Sequence, residues 1–366
     1  MSDTLNKRIR RWLGETAFIK IYRKYKLQIQ LPKYYAIKSD NTTLQHKSII
    51  FLCPARNLPL GGVKVIYNQA AIINRMNGKV TAKILHPYNP NYNCTWFEHG
   101  AALKRDLGID RQNDFVMIPE FWTVHHPRLL YSMGVRYGIY VQGGYIIGLA
   151  NSDKAEERDA AYHNAAFILA ISDDTVECIK MAYPECAGKV YRVHCSVNPN
   201  KFVASSNKED IICYMPRRLK NHSKLVTFFL EKKIPRHWRI VSIDGLDENG
   251  VAEILGKSKI FLSFSELEGL SLPPIEAALS GCYVIGYTGQ AAKEYWDTEI
   301  FTEIHSGDIK AFVEAVLNKI DEIDRSPFVL HTVAIQNLAN RYSAQVEQTD
   351  MQFVCNKVIE ILNDVV

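Results

Sequence analysis

Apolar positions along the chain fall into two alternating patterns, short unbroken runs and stripes spaced three and four residues apart. The runs are Ser48–Cys53, Val80–Leu85, Phe115–Ile118, Tyr137–Val141, Phe167–Ile171 and Val190–Val193, then Ile211–Met215, Trp238–Ile243, Lys259–Phe264 and Cys282–Ile285. Runs of that length with no polar alternation predict strands buried on both faces, as in parallel sheets. Between them lie helical stripes. Val63, Ile66, Tyr67, Ala70 and Ile73 share one side, helical spacing resumes at Leu225, and further helices are expected over Val251–Leu255 and from Asp308 to Lys319. A last stripe joins Met351, Val354, Cys355, Val358, Ile361, Leu362 and Val365. Strands alternating with helices predict the α/β class and doubly wound parallel sheets.

The polar stretch Ser205–Asp210 separates the two series of strands, and 366 residues are enough for two cores of ordinary size. The expected organisation is an N-terminal extension and connector over 1–46, a first Rossmann-like domain over 47–195 and a second over 196–342. Residues 343–366 form a helix returning to the first domain.

Composition narrows the class. The chain is 47% apolar and 23% charged, as in soluble globular proteins. Its longest apolar run, Ala165–Ile171, is far short of the ~20 residues that span a bilayer. The basic N-terminus lacks the apolar core and cleavage site of a secretory signal, so a cytoplasmic protein is expected. Eight scattered cysteines with no C-x-x-C spacing read as reduced, buried small hydrophobes, which argues against a zinc or disulfide framework.

Net charge is +5, yet residues 1–30 hold eight Lys or Arg against Asp3 and Glu15. With Leu5, Ile9, Trp12, Leu13, Phe18, Ile21, Tyr22 and Tyr25 at helical spacing, this extension suits an anionic bilayer surface, or equally a helix packed on the first domain with a solvated basic face. No nucleic-acid partner is expected.

The densest chemistry lies in Phe264–Glu276, FSELEGLSLPPIE, where Glu268 and Glu276 bracket a strand-to-helix turn. Pro273 and Pro274 suit a first helical turn, which leaves the backbone N–H groups of the turn free for a hydroxyl-rich or anionic ligand. The helical pattern Glu276–Ser280 stops at Gly281. Two other features repeat this logic. Gly61-Gly62 sits between the first strand and its helix, where backbone N–H groups can approach phosphate. The loop Pro216–Lys224 carries Arg217, Arg218, Lys220 and Lys224, cations suited to a diphosphate. Neither an Asp-x-Asp metal motif nor a G-x-G dinucleotide fingerprint occurs.

The stretch Glu268–Ile285 resembles the Glu, seven residues, Glu signature of the family 4 retaining glycosyltransferases. That resemblance implies the GT-B fold, two Rossmann-like domains facing across a cleft. It implies a retaining, hexosyltransferase-type enzyme that moves sugar from a nucleoside diphosphate sugar to a glycan or lipid-linked acceptor without a metal or other cofactor, in cell-surface polysaccharide synthesis. Carried over, Glu268 holds the donor sugar, Glu276 the ribose, and Gly269, Leu270, Ser271 and Leu272 line the donor. Gly61 and Gly62 approach the diphosphate. Arg217 and Lys224, with Lys220 as the alternative lysine and Arg218 either beside them or in solvent, grip it. Pro216 stands where the family has glycine. Where many members carry a histidine, this chain has Gln142, which can contact a sugar hydroxyl or acceptor but cannot titrate. His86, His125 and His126 are the other first-domain histidines considered. Two rival readings are a degenerate sugar-nucleotide-binding subunit of a transferase complex and a sugar-nucleotide epimerase or phosphorylase. The basic extension would place the enzyme at the inner face of the cytoplasmic membrane.

Overall fold

The computed structural model describes residues 35–37, 46–57, 60–149 and 152–364. The basic amphipathic segment 1–30 lies outside them, as does most of the connector.

Two all-parallel sheets organise the molecule. The first contains β2 (Lys47–Leu52), β3 (Val80–Leu85), β4 (Ala102–Lys104), β6 (Asp114–Pro119), β7 (Tyr137–Val141), β8 (Ile168–Ala170) and β9 (Val190–Arg192), in the order β4-β3-β2-β6-β7-β8-β9. The second contains β10 (Glu209–Tyr214), β11 (Arg239–Ser242), β12 (Ser258–Glu268), β13 (Tyr283–Gln290) and β14 (Phe301–Glu303), in the order β11-β10-β12-β13-β14. Residues Ala36–Ile37 (β1) pair with Gly108–Ile109 (β5), so the expected connector contributes a strand too short for any pattern to reveal.

Each sheet buries both faces, which is why its strands read as continuous apolar runs. On one face of the first sheet Ile49, Phe51, Phe115 and Met117 meet Val63, Ile66, Tyr67 and Ala70 of helix Gly61–Arg75. The same core takes in Met351, Val354, Cys355, Val358 and Leu362 from the terminal helix Ala344–Asn363. The opposite face holds Ile50, Leu52, Val116, Ile118 and Ile139. In the second sheet, Cys213, Phe261 and Val284 pack against Ile275, Ala277 and Ala278 on one side, and Ile212, Ile260 and Leu262 pack against Val226, Leu230, Phe312 and Val316 on the other. Two doubly wound units of this kind are the GT-B architecture.

Polar ties close the passage between the sheets. Glu294, nearly buried, accepts from Arg192 Nη2 at 2.9 Å, the Tyr342 hydroxyl at 2.6 Å and the Asp173 amide at 2.8 Å. Ser196 donates through Oγ and its amide to Glu347, and His194 meets Asp350 at 2.8 Å. The returning helix therefore anchors the crossover segment as well as completing the first core.

Candidate active site

β12 runs past its apolar stretch and carries Glu268 as its last residue, with a register shift against β13 between Ser265 and Glu268. Such an irregularity bends a strand and re-aims its side chains. Glu268 is held by Arg218, whose Nε lies 3.0 Å from Oε1 and Nη2 3.3 Å from Oε2. Burial pushes the Glu268 carboxyl above its ordinary pKa, opposed by Arg218 and reinforced by Glu266.

Helix Leu272–Leu279 begins directly after the turn, with Ser271 as its N-cap residue and Pro273 and Pro274 in the first turn. The Ser271 side chain does not cap the helix; its Oγ bonds Ser265 Oγ at 2.8 Å, and its carbonyl accepts from the Tyr295 hydroxyl at 2.6 Å. Leu270 and Leu272 pack against both the first core and the second. Glu276 lies one turn into the helix. Burial raises its pKa to about 7, opposed by Lys64 and Lys201 and reinforced by Glu248. Lys64, from the first glycine-started helix, and Lys201, from the crossover segment, both pair with Glu248. An ion cluster drawn from both halves thus borders the residue expected to hold ribose.

The loop after β7 forms the other wall. Gln142 donates through Nε2 to the Gly62 carbonyl at 3.2 Å. Its own carbonyl abuts Gly269: a Cβ on Gly269 would lie 1.7 Å from Gln142 O and 3.0 Å from Gly143 Cα. Only glycine permits that approach. Gly61 and Gly62 start helix Gly61–Arg75, and a Cβ on Gly62 would fall 2.5 Å from Gln142 Oε1. The structure therefore brings Gly62, Gln142, Gly269 and Glu268 to one cleft.

Beneath the Gln142 loop sits Glu120, a residue that no motif singled out. It is 3% exposed, its Oε2 has no hydrogen-bond partner, and burial raises its pKa to about 7 against the nearby amides of Gln142 and Gly143.

The basic loop is arranged unevenly. Arg217 is exposed in the turn after β10, and among the described residues it has no ion-pair partner. Arg218 is the guanidinium that meets Glu268. Lys220 opens helix Lys220–Glu231 and Lys224 stands one turn along, both exposed. Backbone strain clusters at this edge: Leu219, Leu267 and Gln290 have φ of 41°, 44° and 74°. These are conformations unfavourable to non-glycine residues, and they gather where three loops meet the cleft.

Of the other histidines considered, His86 and His126 are occupied. His86 donates from Nδ1 to Cys53 O at 2.8 Å and accepts at Nε2 from the Tyr67 hydroxyl at 2.6 Å. His126 lies between the hydroxyls of Tyr35 and Tyr88, and burial lowers its pKa to about 3.

Comparisons with known proteins agree with this architecture. No family model matches the chain. It is 30% identical over 131 residues to an alpha-1,6-glucosyltransferase of Actinobacillus pleuropneumoniae, a match covering 34% of the chain and 40% of that relative. The aligned stretch thus spans two-fifths of the relative's length. Among solved structures, sucrose-phosphate synthase from Thermosynechococcus elongatus superposes with a TM-score of 0.64 at 11% identity, over 86% of this chain and all of that one. Anabaena HepE in complex with UDP and glucose gives 0.64 at 8% identity, over 85% and 100%. A glycosyltransferase from Rickettsia africae gives 0.56 at 15%, over 86% and 99%. These likenesses establish the GT-B fold for this chain.

Proposed function

We propose that the protein is a retaining glycosyltransferase that moves a hexosyl group from a nucleoside diphosphate sugar to a glycan or lipid-linked acceptor, without a metal ion. The observation that carries the reading is the pair Glu268 and Glu276, set at opposite ends of one rigid turn against the Gln142–Gly143 loop of the other domain. The solved neighbour with UDP and glucose, and the relative named as a glucosyltransferase, support UDP-glucose as the first donor to test.

In this reading residues 47–195 receive the acceptor and residues 196–342 hold the donor. Breaking the bond between sugar C1 and the diphosphate builds negative charge on the leaving oxygen. Arg217, with Lys224 or Lys220 and the N–H groups at Gly61 and Gly62, stabilises it as fixed donors that need no reorganisation. Glu268 orients the sugar hydroxyls, with Arg218 fixing its carboxylate, and Glu276 accepts from the ribose hydroxyls. A front-face displacement needs no protein nucleophile, which suits a site where Gln142 stands in place of an ionisable group. No helix among the described residues is long and apolar enough to cross a membrane. The expected workplace is the cytoplasmic membrane face, where residues 1–30 meet anionic lipid and the product enters cell-surface polysaccharide.

The test is a thermal shift against nucleoside diphosphates and their sugars, with EDTA present. Stabilisation by one base, lost in Glu276→Ala, supports the donor site. No stabilisation by any member of the panel overturns it.

A further inference from the structure

Helix Lys220–Glu231 has two apolar faces. Ser223, Val226, Thr227 and Leu230 form the stripe buried against the second sheet. Leu225, Phe228 and Phe229 repeat the three-and-four spacing on the opposite side, where they are 47%, 52% and 43% exposed. A surface helix ordinarily turns polar residues outward, so this outer stripe calls for an occupant. The two phenyl rings meet edge to face at 5.3 Å and stand together at the surface.

The surroundings identify the occupant's chemistry. Between residues 216 and 239 the chain carries eight Lys or Arg side chains and one acid, Glu231. Lys232 continues the outer stripe, its ammonium 5.7 Å from the Phe228 ring centroid. Lys233 and Arg236 follow, both exposed, and among the described residues no carboxylate pairs with Lys232, Lys233 or Arg236. Arg239, by contrast, is paired with Glu209. Lysine is depleted from protein–protein interfaces, whose apolar anchors enter pockets. Here the anchors project from the outward side of a helix whose C-terminal end carries three cations with no carboxylate partner among the described residues, Lys232, Lys233 and Arg236. Phenylalanine at the headgroup boundary, with lysine stems lying alongside and ammonium groups on lipid phosphates, is the pattern of a surface that docks on an anionic bilayer.

We infer that the outer face of helix Lys220–Glu231, with Lys232, Lys233 and Arg236, is a docking surface for anionic membrane lipid. This surface is on the donor half of the molecule and separate in sequence from residues 1–30. Its helix starts beside Arg217 and Arg218, so docking would hold the donor half, and not only the N-terminal extension, close to the bilayer. The inference does not depend on which sugar is transferred.

The experiment is co-sedimentation of the full-length protein with vesicles of phosphatidylcholine alone or with phosphatidylglycerol at one part in three. It is done at low and at high salt with wild type, Phe228→Ser/Phe229→Ser and Lys232→Glu/Lys233→Glu. Nucleotide binding and melting temperature check that each variant is folded. The expected result is salt-sensitive binding of wild type to the anionic vesicles only, weakened at least tenfold in both double variants with unchanged nucleotide affinity. Wild-type binding within threefold in either folded variant overturns the inference. So does equal binding to neutral vesicles or no vesicle binding at all, the last outcome assigning the stripe to a protein partner.

Discussion

Replacing Gly269 with alanine isolates the contact that joins the two halves at the cleft. The added methyl would sit 1.7 Å from the Gln142 carbonyl oxygen, whereas real Cβ atoms essentially never come within 3.0 Å of such an atom. The obstacle is backbone, so no rotamer change relieves it. Either the Glu268–Ser271 turn or the Gln142–Gly143 loop must recede by more than about 1 Å, a displacement that typically costs about 10²-fold in rate when it misplaces reacting groups. We therefore expect kcat/KM to fall at least 100-fold, about 2.7 kcal/mol of transition-state stabilisation. The assay is initial-rate release of nucleoside diphosphate from a sugar nucleotide. Gly62→Ala serves as the contrast, because its methyl meets only the movable end of the Gln142 side chain, at 2.5 Å, and its loss should be smaller. Gly188→Ala, whose methyl meets nothing within 4 Å, controls for substitution itself. A folded Gly269→Ala enzyme with kcat/KM within threefold of wild type would show that the Gly269–Gln142 contact does not position the reacting groups.

Three other outcomes are expected. Glu268→Ala and Arg217→Ala should each lower turnover by about 10²–10³-fold or more, as removal of a group that stabilises the transition state does, measured in the same assay. Glu276, with a pKa raised to about 7 by burial, accepts from ribose hydroxyls more strongly when ionised; nucleotide affinity should rise as pH increases from 6 to 8, and titration calorimetry should find that dependence weakened in Glu276→Gln. Glu120 binds its proton more tightly folded than unfolded, so its contribution to stability is full below pH ~4.3, the ordinary glutamate value, and is lost as pH rises through about 7, a change of about 4 kcal/mol. Denaturant melts of Glu120→Gln should accordingly show a flatter profile between pH 4 and 7 and greater stability than wild type at pH 8.

Ten of the twelve strands in the two sheets could be read from the chain, because parallel strands covered on both faces leave unbroken apolar runs; the three-residue edge strands β4 and β14 are too short to do so. Ile49, Phe51 and Val116, for example, lie in a single pattern whichever face they serve. The turn from Glu268 to Glu276 was visible for a different reason: its glycine, prolines and carboxylates are close in sequence, and their conformational preferences act locally. What escaped was assembled over long separations. Gly269 is glycine because of Gln142, more than a hundred residues earlier, and nothing in Glu-Gly-Leu announces that neighbour. Glu294 gathers Arg192, Asp173 and Tyr342 in the same way. Arg218 could be recognised as a candidate cation, but its partner depended on how the loop folds at Leu219, a leucine in a conformation that sequence preference disfavours. Glu120 gave no signal as an isolated acid after a strand. Two-residue strands such as β1 and β5 are below the length at which any periodicity exists.

The most direct test of the central claim is release of nucleoside diphosphate from a panel of sugar nucleotides in EDTA, comparing wild type with Glu268→Ala. Wild type is expected to turn over at least one donor, slowly with water alone and faster with a suitable glycan or lipid-linked acceptor, and Glu268→Ala to do so at least 100-fold more slowly. Absence of release from every donor, or release unchanged in Glu268→Ala, would contradict that claim.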